Sequence, residues 1–138
     1  MRPTEELEQE IRTSSLPDVL SSEQFSLPKL AEYLVTLLQS RGLTVQDVVR
    51  ICNLDRSYGY QLFNGTRRPT REFLLQLALT LELEEVEAQR MLKIAGRPPL
   101  YARNRWDAAV LYSLTHRLTV EKTNELLVSL DEKPLTTG

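Results

Sequence analysis

Apolar residues recur at helical spacing along most of the chain, and no stretch alternates between apolar and polar residues as a strand would. The pattern predicts seven helices and an all-α fold. We expect the first of them to begin at Ser26, with Pro28 tolerated in its first turn. The predicted helices lie at about 26–41, 44–52, 55–64, 71–81, 84–95, 104–116 and 119–130.

Polar residues placed just before the apolar stripes predict where these helices begin. A Ser, Thr, Asp or Asn side chain at such a position accepts a hydrogen bond from a backbone N–H of the first turn. The predicted N-caps are Thr44, Asp55, Thr70, Asn104 and Thr119. Asp47 lies three residues after Thr44 and can return the bond, as in a capping box. Gly65 and Gly96 predict the ends of two helices.

The two ends of the chain are less regular than its centre. Residues 1–25 are predicted to form an acidic arm, with a short helix around residues 4–12 and a serine-rich connector over residues 14–26. This arm is either a solvated tail or a segment that packs on the same molecule or on a second subunit. Residues 26–96 form the predicted central domain. Residues 97–138 follow the Arg97-Pro98-Pro99 break, and their helices either complete the core or form an oligomer interface.

Composition limits the class of protein. The chain has 138 residues, of which 41% are hydrophobic and 26% charged, as in an ordinary soluble domain. No apolar run approaches the roughly 18 residues that a membrane-spanning helix needs. The N-terminus is acidic rather than a secretory signal. A single cysteine, Cys52, fits a reducing compartment. We therefore expect a cytoplasmic protein that does not associate with a membrane.

Charge is distributed unevenly, although the chain as a whole carries only −2. Residues 41–71 carry six arginines against two aspartates, a balance of +4. Residues 1–25 carry two arginines against six acidic residues, a balance of −4. A local basic segment of this kind indicates a polyanionic partner. The near-neutral total charge is weaker evidence against such a partner.

The segment Gly42–Arg71 combines two short capped helices, a tight turn between them, the tetrapeptide LFNG at 62–65 and the pair Pro69-Thr70. In these features it resembles the Xre/Cro family of helix-turn-helix regulators, whose phage lambda repressor member has the same LFNG. The resemblance covers roughly residues 29–92. It implies a five-helix lambda-repressor-like domain that binds double-stranded DNA, here with an N-terminal arm and two additional C-terminal helices.

The resemblance also implies individual contacts with DNA, because it makes residues 55–64 the recognition helix. Side chains on this helix would meet base edges in the major groove, where Arg suits guanine and Gln suits adenine. The implied base contacts are Arg56, Ser57, Tyr58 and Gln61. Polar side chains around the helix would meet phosphates, which fixes position without reading sequence. The implied phosphate contacts are Gln46, Asn64, Arg67, Arg68 and Arg71.

Four positions depart from the family pattern. Val45 stands where many members have Gln, and Asn53 stands where Gly is common. Val49 stands where the family usually has a small residue, and Gly59 stands where it usually has a branched apolar residue. Glycine inside a helix costs about 1 kcal/mol relative to alanine. Sequence alone offers only the neighbouring tyrosines, Tyr58 and Tyr60, to fill the space.

We expect a sequence-specific transcriptional regulator that binds DNA as a homodimer. The alternative is a protein-interaction module, or an antitoxin-like protein, that uses a helix-turn-helix scaffold and contacts a protein partner through its C-terminal helices. An enzyme is not expected, because Cys52 and His116 are each the only residue of their type and nothing frames them as a catalytic pair. No metal and no cofactor are expected.

Overall fold

The computed structural model describes residues 16–136, with side chains from Leu27 onward. This part of the chain is all-helical and contains no strand, which confirms the predicted class. None of its helices is both long and apolar enough to cross a bilayer. The predicted helix at 4–12 lies outside the described residues. The seven helices are α1 (Leu16–Ser40), α2 (Val45–Ile51), α3 (Arg56–Asn64), α4 (Arg71–Thr80), α5 (Glu85–Ile94), α6 (Arg105–Thr115) and α7 (Val120–Ser129).

The first helix begins ten residues earlier than its predicted start at Ser26. The predicted connector is therefore wrong from Leu16 onward, because α1 runs through it and contains Pro28 in its interior. Proline fixes φ near −65°, a helical value, but it removes one backbone donor and its ring crowds the carbonyl four residues earlier, so the helix continues through it at a cost. Pro17 falls in the first turn, where its missing N–H has no partner to lose.

The predicted N-caps are confirmed at all five positions. In each case the side-chain oxygen accepts from the backbone N–H three residues on, as for Thr44 and Asp47 at 3.1 Å. The Asp47 carboxylate accepts the Thr44 N–H at 2.8 Å, which completes the predicted capping box. Gly65 and Gly96 end α3 and α5 with φ of +82° and +71°. Local signals of this kind were sufficient to place most helix boundaries.

The core is one continuous cluster with α4 at its centre. Every residue of α4 from Phe73 to Leu79 is buried. α1 covers one side of it with Leu30, Leu34, Leu37 and Leu38. The C-terminal helices contribute Ala109, Val110, Leu114 and Leu127 to the same cluster. Of the two roles considered for residues 97–138, these side chains serve core completion.

Two apolar residues of α5 and α6 lie outside the core. Val86 is 68% exposed and Tyr112 is 51% exposed. Val86 is five residues from Met91, which is about 140° around the helix, so it faces away from the buried stripe of α5. The buried stripe covers only part of the surface of a short helix. The number of apolar residues in a predicted helix therefore overestimates how many of them are buried.

Candidate nucleic-acid interface

The helices α2 and α3 are joined by residues 52–55 and held together by the core. Asn53 adopts a left-handed conformation, with φ of +53°. The Leu54 N–H returns to the Val49 carbonyl at 2.9 Å, which closes the turn. Val48 of α2 and Leu62 and Phe63 of α3 are buried. The outer face of α3 is thereby fixed relative to α2, with Arg56, Ser57 and Tyr60 exposed.

Val49 and Gly59 meet at the crossing of α2 and α3. Gly59 is buried, and a methyl group at its Cα would overlap the Cγ2 methyl of Val49. Val49 therefore occupies the space that a side chain at position 59 would need. The tyrosines proposed to fill this space from the sequence are not the residues that do so.

Arg56 and Gln46 line a shallow groove between α2 and α3. Its volume is about 310 Å³, and the remaining lining residues are Val49, Arg50 and Tyr60. Among the residues that the structure describes, no carboxylate lines it. Arg56 and Ser57 are fully available on the first turn of α3, as the predicted base contacts require. Within the described residues, Arg56 makes no hydrogen bond or ion pair.

Two aspartates at this surface are engaged locally. Asp55 accepts the Tyr58 N–H at 3.2 Å as the cap of α3. The Asp47 carboxylate accepts the Thr44 N–H and is 2.9 Å from Arg50 Nη2. The pKa of Asp47 is lowered, mainly by the hydrogen bond from the Thr44 backbone and next by the one from Arg50. Both carboxylates are thus committed to capping the helices that carry this surface.

Tyr58 lies beside the core rather than at the outer edge of α3. Its ring meets Phe73 edge-on, with centroids 5.7 Å apart and planes at 86°. Burial raises the pKa of Tyr58, and the charge of Arg67 opposes that effect. The Arg67 guanidinium lies 4.9 Å from the centroid of the Tyr58 ring. Tyr58, expected to face a base, thus supports another predicted DNA contact.

Asn64 shapes the loop that follows α3. Its Oδ1 accepts from the Thr66 N–H at 3.1 Å and from the Thr66 hydroxyl at 2.7 Å. This is the short-range bonding that makes asparagine a turn former. Asn64 remains exposed, and its amide N–H groups are not used in these two bonds.

Arg68 and Arg71, both expected at phosphates, are directed instead toward the backbone after α5. Arg68 donates to the carbonyls of Ala95 and Gly96 at 3.1 and 2.8 Å. Arg71 donates to those of Pro98 and Pro99 at 2.8 and 2.9 Å. In the opposite direction, Arg97 donates twice to the Pro69 carbonyl. These bonds attach the loop after α3 to the segment between α5 and α6.

Arg71 also forms a bidentate ion pair with Asp107 of α6. Its two terminal nitrogens lie 3.3 and 3.0 Å from the carboxylate oxygens. Asp107 is only 7% exposed, and it accepts the Tyr101 N–H at 2.9 Å as well. In the sequence Asp107 is marked only by its position three residues after the cap Asn104. Its partner is 36 positions away, and no local signal points to it.

Cys52 and His116 have separate surroundings. Cys52 is half-buried, and burial raises the pKa of its thiol, with a hydrogen bond to Thr80 acting in the opposite direction. His116 stacks on Tyr112, with ring centroids 3.9 Å apart. Within the described residues, no three His, Cys, Asp or Glu side chains come together as metal ligands would.

The site is thus a basic face built by α2, α3 and the loop after them. Of the nine residues implied by the resemblance, Gln46, Arg56, Ser57, Gln61, Asn64 and Arg67 lie on this face, while Tyr58, Arg68 and Arg71 support it. Comparison with family models, with curated proteins and with solved structures finds no match to the chain.

Proposed function

We propose that this protein is a sequence-specific DNA-binding transcriptional regulator of the Xre/Cro type, with α3 inserted in the major groove. The observation that carries the proposal is the groove between α2 and α3. Gln46, Arg50 and Arg56 line it, and no carboxylate does. Arg56 is exposed on the first turn of α3, which packs across the shorter α2. A helix-turn-helix reads base edges with side chains in this arrangement.

In this proposal the residues divide into three roles. Arg56, Ser57 and Gln61 meet base edges, with Arg56 suited to bidentate donation to guanine. Gln46 and Asn64 donate to phosphates on either side of α3. Arg68 and Arg71 hold the loop in place from behind, through carbonyls and Asp107. A single module reads few bases, so we propose a homodimer on two half-sites about one helical turn apart.

A second candidate is a protein-interaction module, and a separate surface supports it. On α7 a broad groove of about 990 Å³ is lined by Val120, Val128 and Pro134, with Glu121 and Glu125 beside them. Val128 is 61% exposed. Exposed apolar residues rimmed by charge are typical of protein contacts. An antitoxin-like protein would use both surfaces, one for DNA and one for a protein.

The test is binding of the purified chain to a fluorescent duplex that carries the DNA upstream of its own gene. A scrambled duplex is the control, and each is titrated with salt. We expect preference for the upstream duplex, and loss of that preference in an Arg56→Ala/Gln61→Ala double variant. An Arg90→Ala/Gln39→Ala double variant is the matched control, because these residues are exposed on α5 and α1.

The outcomes separate the two candidates. A steep fall of affinity with salt and no preference would mean a basic surface that does not read sequence. No binding at low salt by a folded protein would reject the regulator proposal for that DNA and favour the protein-interaction module. Circular dichroism of each variant, run alongside, establishes that it is folded.

A further inference from the structure

Arg67 differs from the two arginines that follow it, Arg68 in the loop after α3 and Arg71 at the start of α4. Arg68 and Arg71 donate to backbone carbonyls of residues 95–99. Arg67 is exposed and turns the other way, onto α3. Its guanidinium lies over the Tyr58 ring, and its Nη1 is 3.4 Å from Gln61 Oε1. Tyr58 and Gln61 are three residues apart on a helix, so they share one side of it.

The position of the Arg67 guanidinium is fixed by a short chain of contacts from the core. Phe73 is buried at 3% exposure and meets the Tyr58 ring edge-on. Tyr58 in turn presents its face to Arg67 at 4.9 Å. A planar guanidinium stacked on an aromatic face loses less freedom when it then binds a ligand. Arg67 is therefore pre-arranged beside the part of α3 that meets base edges.

The contact with Gln61 also decides which groups remain for a ligand. A guanidinium only donates, so the amide atom facing Arg67 is the oxygen of Gln61. The Gln61 amide nitrogen and the remaining Arg67 N–H groups are left as donors, against one remaining lone pair on the Gln61 oxygen. A surface made mainly of donors matches the N7 and O6 acceptors of guanine better than adenine, which presents one acceptor and one donor in the major groove.

We propose that Arg67, held on the Tyr58 ring beside Gln61, reads a guanine in the major groove and does not contact a phosphate. This inference rests on the proposed function and assigns a specificity to the same surface. It changes the expected preference at Gln61 from adenine to guanine. It also makes Tyr58 a positioning residue that acts through Arg67.

The experiment begins with selection of preferred duplexes from a randomised library by the full-length chain. Every single-base substitution of the selected duplex is then measured against wild type, Arg67→Lys, Arg67→Ala, Tyr58→Phe and the control Arg90→Lys. We expect wild type to prefer guanine at one position of each half-site by roughly 5- to 150-fold. Arg67→Lys keeps the charge but loses the planar fork, so it should lose this preference and keep the salt dependence.

Each variant has a distinct expected result. Arg67→Ala should lose preference at that one base pair and keep the ranking at all others. Tyr58→Phe keeps the aromatic face and should keep the preference, as should Arg90→Lys. If Arg67→Ala instead weakens all duplexes equally and lowers the salt slope by about 1, Arg67 is a phosphate contact and the inference is wrong.

Two further outcomes would also overturn the inference. If the base preferences of Arg67→Ala equal those of wild type, Arg67 reads no base and its contact with Tyr58 serves packing alone. If wild type selects no sequence at all, the proposed function fails together with the inference. The first case leaves the regulator proposal standing, so the two failures are distinguishable.

Discussion

Val49 and Gly59 form a matched pair in which one residue fills the space that the other leaves empty. The Cγ2 methyl of Val49 lies where a side-chain carbon at position 59 would be. The larger of the two side chains is on α2 and the smaller position is on α3. Together they form one steric arrangement, in which Gly59 leaves room for Val49 at the helix crossing.

Gly59→Ala should destabilise the protein, although glycine to alanine usually stabilises a helix. Val49 is β-branched and has essentially one favoured rotamer in a helix, so it has little room to move away. We expect a loss of about 1–3 kcal/mol in the free energy of unfolding from this overpacking. Urea titration followed by circular dichroism would measure it.

The control is the same substitution in a Val49→Ala background. There the added methyl enters vacated space, and Gly59→Ala should stabilise by about 0.5–1 kcal/mol. A change of sign between the two backgrounds is the signature of direct contact. If Gly59→Ala had the same effect in the wild-type and Val49→Ala backgrounds, Val49 would not be the residue that makes glycine necessary at position 59.

Much of the helical framework could be predicted from the sequence because helix ends depend on near neighbours. Thr44, Asp55 and Thr70 each cap a helix through a bond that spans three residues. Such bonds are visible in a window of a few positions. The left-handed Asn53 and the C-terminal Gly65 are equally local, since each reflects the conformation of one residue.

The rest depends on contacts between distant positions, which a local pattern does not contain. Nothing near Arg71 in the sequence marks Asp107 as its partner, because the two lie 36 residues apart. The predicted start of α1 is wrong because Pro17 and the nearby serines favour a break, and these preferences are weak against the continuation of a long helix. The complementarity of Val49 and Gly59 likewise requires knowledge of how two helices cross.

Arg71→Ala should be among the most damaging substitutions at this surface. It leaves Asp107, which is 7% exposed, without its counter-charge. Removing one partner of a buried ion pair strands the other, and we expect a loss of about 3 kcal/mol in the free energy of unfolding. Thermal and urea unfolding would both report it.

Arg117→Ala provides the comparison. Arg117 pairs with Glu82 at 3.4 Å, and both side chains are 60% exposed. Exposed pairs contribute little, so we expect a change within about 0.5 kcal/mol. Equal effects of the two substitutions would mean that the burial of Asp107 does not govern the strength of its pairing.

The contribution of Asp47 to stability should disappear in acid. Its pKa is lowered from 3.8 by the Thr44 N–H first and by Arg50 second. A carboxylate with a depressed pKa stabilises the folded state at pH values above 3.8, and the effect is lost as the pH falls through the folded value. The stability gap between wild type and Asp47→Ala should therefore narrow as the pH falls. A gap of constant size would contradict the capping role of the charge.

Cys52 should react slowly with a thiol reagent in the folded protein. Burial raises the pKa of this thiol, so less of the reactive thiolate is present at a given pH. The reaction with Ellman's reagent at mildly alkaline pH should be slower than in the urea-unfolded chain. Thr80→Val removes the hydrogen bond that opposes the shift and should slow the reaction further. Equal rates in the folded and unfolded protein would contradict this placement.

In the sequence, Pro98 and Pro99 mark a break between α5 and α6. In the structure, hydrogen bonds from both sides hold this segment in place. Here the carbonyls of Pro98 and Pro99 both accept from Arg71, and the Gln89 amide binds the N–H and the carbonyl of Leu100. A force applied to α6 would therefore be transmitted to the first residue of α4 and to the loop beside α3. A partner that shifts the C-terminal helices would therefore also shift the loop after α3.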